Sequence, residues 1–215
     1  MAEKRYRNEG YCVLPRRKTE IRLYADDVRR LFLPVEHNML DVVRLIEHEM
    51  PKAYENFRYE VVPDEELPGQ EAVFIPSAFC MRVRESVYEG ACNHVGRCRF
   101  TLAHELGHFF MHRDQPMAFG RSAEKESIPL YMNSEWQADE FARNLLAPAR
   151  LAKGMSTALI ATMFEVSKEV ARIVRREASA MFGEPMEPMV SLVSSSPKSK
   201  TAVECLLPGL DWSAA

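Results

Sequence analysis

A proline-free run from Arg97 to Gln115, containing His104-Glu105-Leu106-Gly107-His108, sets the tightest limits on this chain. Phe100, Ala103, Leu106 and Phe110 recur three or four residues apart, which predicts an amphipathic helix. Residues four apart on a helix stand one above the other, so His104 and His108 present two imidazoles to a common point. Such a pair suits Zn²⁺, which binds histidine nitrogen at about 2.0–2.1 Å. Glu105 lies about 100° round the helix from His104. Its carboxylate can reach a water at the metal without being a ligand, which is the position of a general base. Gly107 leaves bare backbone beside the metal, where a strand or a substrate can come close.

A catalytic zinc site takes three protein ligands and keeps one position open. His112 is close in sequence, but eight residues of helix rise place it about 12 Å along the axis from His104. It reads as a surface or second-site histidine. Glu135 is the better third ligand. Ser134 and Gln137 match a capping box that would start a helix just there. Trp136, Phe141, Leu145 and Leu146 supply that helix's buried side, and Pro148 marks its end. Glu135 and Asp139 share one face at i and i+4. Glu135 can then bind the metal while Asp139 accepts a hydrogen bond from the outer nitrogen of a liganding histidine, which fixes that ring's tautomer. Ala138 and Ala142 keep the face slim.

The run Arg99-Phe-Thr-Leu-Ala-His-Glu-Leu-Gly-His108, followed by Glu135-Trp-Gln-Ala-Asp-Glu-Phe-Ala142 and Leu145-Leu-Ala-Pro148, resembles the ImmA/IrrE family of zinc metallopeptidases. The resemblance covers roughly residues 18–175. It implies a gluzincin-like site with His104, His108 and Glu135 as ligands to one Zn²⁺, Glu105 as general base and Asp139 as the aspartate behind a histidine. Other divalent metals such as Mn²⁺ remain open. It also implies a protein substrate, a helix-turn-helix transcriptional repressor, whose cleavage derepresses stress-response or mobile-element genes. Where family members usually read Leu-Leu-Met-Pro this chain has Ala147, a change of packing.

The expected fold is α+β and zincin-like, a small twisted sheet packed on the H-E-x-x-H helix, with a helix-turn-helix-like pair after it. Residues 1–17 read as a basic, extended arm and 18–182 as the peptidase domain, of which 150–182 is the helical pair. Residues 183–215 are a proline- and serine-rich tail with an apolar tip at Leu206, Leu207 and Trp212. The spacing predicts a helix over Thr19–Leu33, broken by Pro34, with Asp26, Asp27, Arg29 and Arg30 on a solvated face. A second helix is expected from about Asn38 to Met50, stopped by Pro51. Strands are expected over Phe57–Val62, Glu71–Ile75 and Phe79–Arg84. In zincins one edge strand lies over the metal and pairs with an extended substrate, and the third strand is the candidate for that edge. Tyr88 and Tyr131 are candidate donors to the substrate oxyanion. Residues 116–132 read as a loop flanking the cleft. Cys92, His94 and Cys98 do not form a zinc spacing and read as an ordinary loop.

Net charge of −3 gives no general reason for nucleic acid or membrane binding. No apolar run approaches the ~18 residues of a membrane span. Met1 leads into Glu3-Lys4-Arg5-Tyr6-Arg7 without an apolar stretch, and five cysteines show no regular spacing. These features suggest a cytoplasmic protein with reduced thiols. Two rivals to the peptidase stay open. One is a DNA-binding regulator that uses Lys168, Arg172 and Arg175 or Arg176 of the helical pair. The other is a protein-binding module, as in a toxin–antitoxin pair, with a non-catalytic metal. Oligomeric state is not legible.

Overall fold

The computed structural model describes residues 10–33, 39–115 and 128–183. Residues 1–9 of the arm, Pro34 and Asn38, residues 116–127 of the long loop and the tail from 184 lie outside the described residues. The architecture is α+β: a three-stranded sheet and a set of helices gathered on one long central helix.

That helix is α5 (Gly96–His112). It is buried round more of its circumference than one apolar stripe requires, because two layers pack on it. Leu102, Ala103, Leu106, Phe109 and Phe110 all lie in the core. Phe109 is the hub on the sheet side: its ring meets those of Tyr54, Phe57, Phe74 and Phe79 edge-on at 4.9–5.3 Å, a favoured aromatic geometry. On the other side, α5 packs on α6 (Ser134–Leu146), which packs in turn on α1 (Lys18–Phe32). Gly107 marks the closest approach of α5 to α6. A Cβ there would stand 3.0 Å from the Ala138 Cα. The bare backbone beside the metal therefore receives a helix and not a strand or substrate.

The sheet is formed by β1 (Arg58–Val62), β2 (Ala72–Ile75) and β3 (Cys80–Arg84), in the order β1-β3-β2, with β1 parallel and β2 antiparallel to β3. The third strand is thus the centre of the sheet and not the edge expected from sequence. The chain leaving β1 skips the central position, which β3 fills later, and puts β2 at the edge that touches α5. The Arg84 N–H bonds the Glu71 carbonyl, so Glu71, Val73 and Ile75 turn their main-chain groups to β3. Ala72 and Phe74 turn theirs outward.

Other expectations need correction. Pro51 does not stop the second helix. The chain runs through α2 (Val42–Arg44), a π-helical turn (Leu45–Glu49) and α3 (Met50–Ala53). A proline has no N–H and crowds the carbonyl four residues back; the wider turn, closed by Met50 N–H to Leu45 C=O, accommodates it. Of the charges read as solvated on α1, Asp26 and Arg29 are buried. Arg29 donates to the Leu145 carbonyl at 2.6 Å, one of the acceptors left over at the end of α6, and Asp26 pairs with Arg150 at 3.1 Å. Among the described residues no helix is long and apolar enough to cross a membrane.

The helical pair consists of α7 (Thr157–Phe164) and α8 (Lys168–Phe182), each capped by a serine side chain, Ser156 and Ser167. Its turn is packed inward. Glu165 takes the left-handed conformation there, at φ 51°, and buried Arg99 of α5 pairs with its carboxylate at 3.2 Å. Gly96 lets the turn close on α5, since a Cβ would lie 2.7 Å from the Ser167 nitrogen.

Candidate metal centre

Two helices build the centre. α5 delivers His104 and His108 one turn apart. α6 begins where Asn133, not Ser134, caps it by accepting from the Trp136 N–H. The capping box expected from Ser134 and Gln137 does not form, because the asparagine one residue earlier takes the cap. The first turn of α6 presents Glu135 and its second presents Asp139. Ala138 against Gly107 holds the two helices close enough for these side chains to meet.

The donor atoms converge. His104 Nε2 lies 3.0 Å from His108 Nε2 and 3.1 Å from Glu135 Oε2, and His108 Nε2 lies 3.5 Å from Glu135 Oε1. Ligands at about 2.05 Å in a tetrahedron stand about 3.3 Å apart, so the two ring nitrogens and the carboxylate fit one ion. Among the described residues this is the group of histidine and acidic side chains able to hold a metal. His94 is engaged instead with Glu165 at 2.7 Å; Cys92 and Cys98, read from sequence as part of a loop, lie on α4 (Glu85–Cys92) and α5.

The two histidines are held from behind by different groups. His104 Nδ1 lies 2.8 Å from Asp139 Oδ1. Burial works against a charged His104 ring, but the hydrogen bonds to Asp139 and Glu135 outweigh it and push the pKa to about 10 in the metal-free protein. Burial likewise pushes the Glu135 carboxyl up, yet the two imidazoles outweigh it and hold that group well below the usual carboxylate range. His108 Nδ1 lies 3.1 Å from His112 Nδ1. His112 is buried, not on the surface as its place in the last turn suggested, and its Nε2 lies 3.1 Å from Gln137 Oε1. Burial, and then the nearby His108, lower the His112 pKa to about 3. Glu105 is buried beside the pair, and its Oε2 accepts the Phe74 N–H of β2 at 2.7 Å.

Of the two tyrosines singled out from sequence, Tyr88 has its hydroxyl engaged elsewhere. Tyr88, on α4 (Glu85–Cys92), donates its hydroxyl to Glu47 at 2.6 Å, beside Tyr59, which donates to the same oxygen. Tyr131 is half exposed, and it is its carbonyl that is used, by Gln137 and by the Arg16 N–H. The phenol at the site is Tyr11. Its ring lies 6.4 Å from His108, nearly parallel, and 6.1 Å from His112, edge-on. Burial, followed by the charges of Glu135 and Glu105, raises its pKa to about 12. The arm that carries it is pinned along residues 130–134: Tyr11 N–H to Ser134 Oγ, Ser134 N–H to Tyr11 C=O, and Val13 N–H to Met132 C=O. Gly10, at φ +85°, lies so near Glu135 that a Cβ would stand 2.8 Å from its Cγ. Tyr11 lacks any local signal. It pairs with residues more than 120 positions away, whereas His112 was findable from its i+4 spacing to His108.

An H-E-x-x-H helix and a neighbouring helix whose Glu135 meets its two histidines give a group able to hold a metal, with Glu105 of the same motif bonded to β2. Residues 72–173 match the family model of the IrrE N-terminal-like domain, a peptidase family, which supports membership of the ImmA/IrrE family. The matched stretch opens at β2 and closes within α8; it contains His104, Glu105, His108, Glu135 and Asp139 and excludes the arm with Tyr11. A comparison with curated proteins finds no match.

Proposed function

We propose that the protein is a zinc-dependent endopeptidase of zincin-like fold. The observation that carries this reading is the meeting of His104 Nε2, His108 Nε2 and the Glu135 carboxylate at 3.0–3.5 Å, with Glu105 beside them and bonded to the β2 main chain. His104, His108 and Glu135 would hold the ion. When bound, Zn²⁺ supplies Lewis acidity to the scissile carbonyl and to the attacking water.

The remaining chemistry belongs to the chain. The outward N–H and C=O of Ala72 and the C=O of Phe74 suit an extended peptide added as a further strand, the Phe74 N–H being taken by Glu105. The Phe74 N–H steadies Glu105 next to the place where the peptide would lie. Glu105 takes the proton of the attacking water and returns it to the leaving amine. Tyr11, kept protonated, is the donor for the oxyanion that develops on the carbonyl; it replaces Tyr88 and Tyr131 in that role. The expected substrate is the linker of a helix-turn-helix repressor, a cytoplasmic setting that follows from the family resemblance.

The test is co-incubation with a repressor encoded beside the gene, with and without chelator, read by mass spectrometry of fragments. Cleavage should stop with chelator. Glu105→Gln should retain zinc and lose about 10²–10⁴-fold in rate; cutting by that variant at the wild-type rate refutes the assignment.

A second reading, DNA contact by the helical pair, has one observation in its favour: Arg172, Arg175 and Arg176 line a single groove on α8. The turn of the pair speaks against it, since Glu165 there adds an acidic group next to the place a phosphate would occupy. Absence of any operator shift at low salt would dispose of it.

A further inference from the structure

We infer that His112 and Gln137 form a neutral relay that holds His108 in the one tautomer able to bind a metal, and that the N-terminal arm locks the relay from outside. The inference rests on the metal-site reading above and adds two positioning residues to it.

Gln137 is fully buried. Its Nε2 lies 2.9 Å from the Leu14 carbonyl oxygen and 2.8 Å from that of Tyr131. Carbonyls only accept, so the NH₂ of the amide must sit there; turned over, the amide would set its own oxygen against two others. With the amide fixed, Oε1 faces His112 Nε2 at 3.1 Å and can only accept. His112 therefore carries a proton on Nε2. Its hydrogen-bond partners are an amide oxygen and another imidazole, with no carboxylate between them and 2% of the residue exposed. A buried ring so placed stays neutral. Its Nδ1 then holds a lone pair.

His108 Nδ1, 3.1 Å away, must donate to that lone pair. A neutral His108 with its proton on Nδ1 has its own lone pair on Nε2, the atom that faces His104 and Glu135. With His112 neutral, only this assignment leaves every donor facing an acceptor. The outermost member of the relay is main chain of the arm. The Leu14 carbonyl is held in place because the Leu14 N–H bonds Gln115 Oε1 at 3.0 Å and the Val13 N–H bonds the Met132 carbonyl. A segment outside the family match thus helps to aim a metal ligand.

The direct test is long-range ¹H–¹⁵N correlation spectroscopy on the full-length wild-type protein labelled at histidine, metal-free and with zinc. His112 should carry its proton on Nε2 and His108 on Nδ1 in both forms. A cationic His112, a His112 protonated on Nδ1, or a His108 protonated on Nε2 in the metal-free protein overturns the relay. Two variants add an independent readout, zinc affinity by competition with a chromophoric chelator. His112→Phe removes the acceptor and should weaken zinc about 10–100-fold. Gln137→Glu keeps the volume and the acceptor but cannot donate to Leu14 and Tyr131; it should draw a proton onto His112, seen in the same spectra, and weaken zinc as well. Either variant folded by circular dichroism with wild-type affinity counts against the relay, and if both misfold the wild-type spectra still decide. A wild-type protein that binds no zinc at all overturns the metal-site reading instead, which separates the two failures.

Discussion

The two histidines of the motif differ in what stands behind them. His104 is backed by a carboxylate, Asp139, supplied by α6 one turn beyond Glu135. His108 is backed by a neutral chain, His112 and then Gln137, that ends on the arm's main chain. Both arrangements engage the outer nitrogen and aim Nε2 at the metal position, but they do so by opposite means. A carboxylate accepts the outer proton and also draws positive charge onto the ring. A neutral imidazole accepts it without that pull. The first half lies wholly within the matched stretch of the family, while the second reaches out to residues 10–16. One half of the centre is thus secured by helix periodicity and the other by a long-range contact.

The largest effect expected to separate the halves is catalytic. Tyr11 leans on the His108 side and has no hand in holding the metal. Tyr11→Phe should lower kcat about 10²–10³-fold, the usual cost of a lost oxyanion donor, with zinc affinity unchanged. A fall in affinity of the same size would mean that the ring supports His108 and does not serve the substrate. Next comes the other side. Asp139→Asn keeps the shape and removes the charge, and zinc affinity should drop about 10–100-fold. If Asp139→Asn and His112→Phe cost the same and their costs do not add, the two halves are one coupled network and the contrast fails. A smaller effect is expected from Gly10→Ala. A left-handed alanine costs about 1–2 kcal/mol, and its Cβ would press on Glu135. A lower melting temperature and a several-fold weaker zinc affinity should follow, measured by calorimetry and chelator competition. A change in the melt alone would show that Glu135 moves aside freely.

The same contrast explains what could be read from sequence. His104, His108, Glu135 and Asp139 are legible because a helix turns a spacing of four into a shared face, and both helices announce themselves by apolar periodicity, the second also by a closing Pro148. The three strands are legible by composition, but their order is not. Strand order depends on pairing between distant segments, which no local pattern encodes: β3 pairs with both neighbours and lies at the centre, and β2 is the edge that meets α5. Local rules also misplaced the cap of α6, where Ser134 and Asn133 are both good caps and neighbouring contacts chose the asparagine. Asp26 and Arg29 looked like surface charges until α6 supplied a carbonyl and the segment after it supplied Arg150. Tyr11 and Gly10 were invisible for the plainest reason: no periodicity links the arm to residues 130–137.

The finest distinction between the halves is a single proton. In the metal-free protein His104 is held charged, with a pKa of about 10 against an ordinary value of 6.5. A metal needs the lone pair that this proton occupies. Zinc uptake near neutral pH should therefore release a proton from His104, and affinity should rise about tenfold per pH unit until it levels off near pH 10. Stability of the metal-free fold moves the other way. A pKa raised on folding stabilises fully below the unfolded value and loses that contribution as pH climbs through the folded one. Metal-free protein should thus melt lower as pH rises from 6.5 towards 10, while Glu135, whose pKa is depressed, contributes above its unfolded value and loses its share only in acid. Asp139→Asn removes the main attraction that charges the ring, so it should reduce the number of protons released at about pH 8 and flatten the affinity profile. His112→Phe should change the affinity and leave that number alone. Calorimetric titration in two buffers of different ionisation enthalpy counts the protons. Equal reductions in both variants would place the labile proton between the two rings rather than on His104, and the division into a charged and a neutral half would have to be given up.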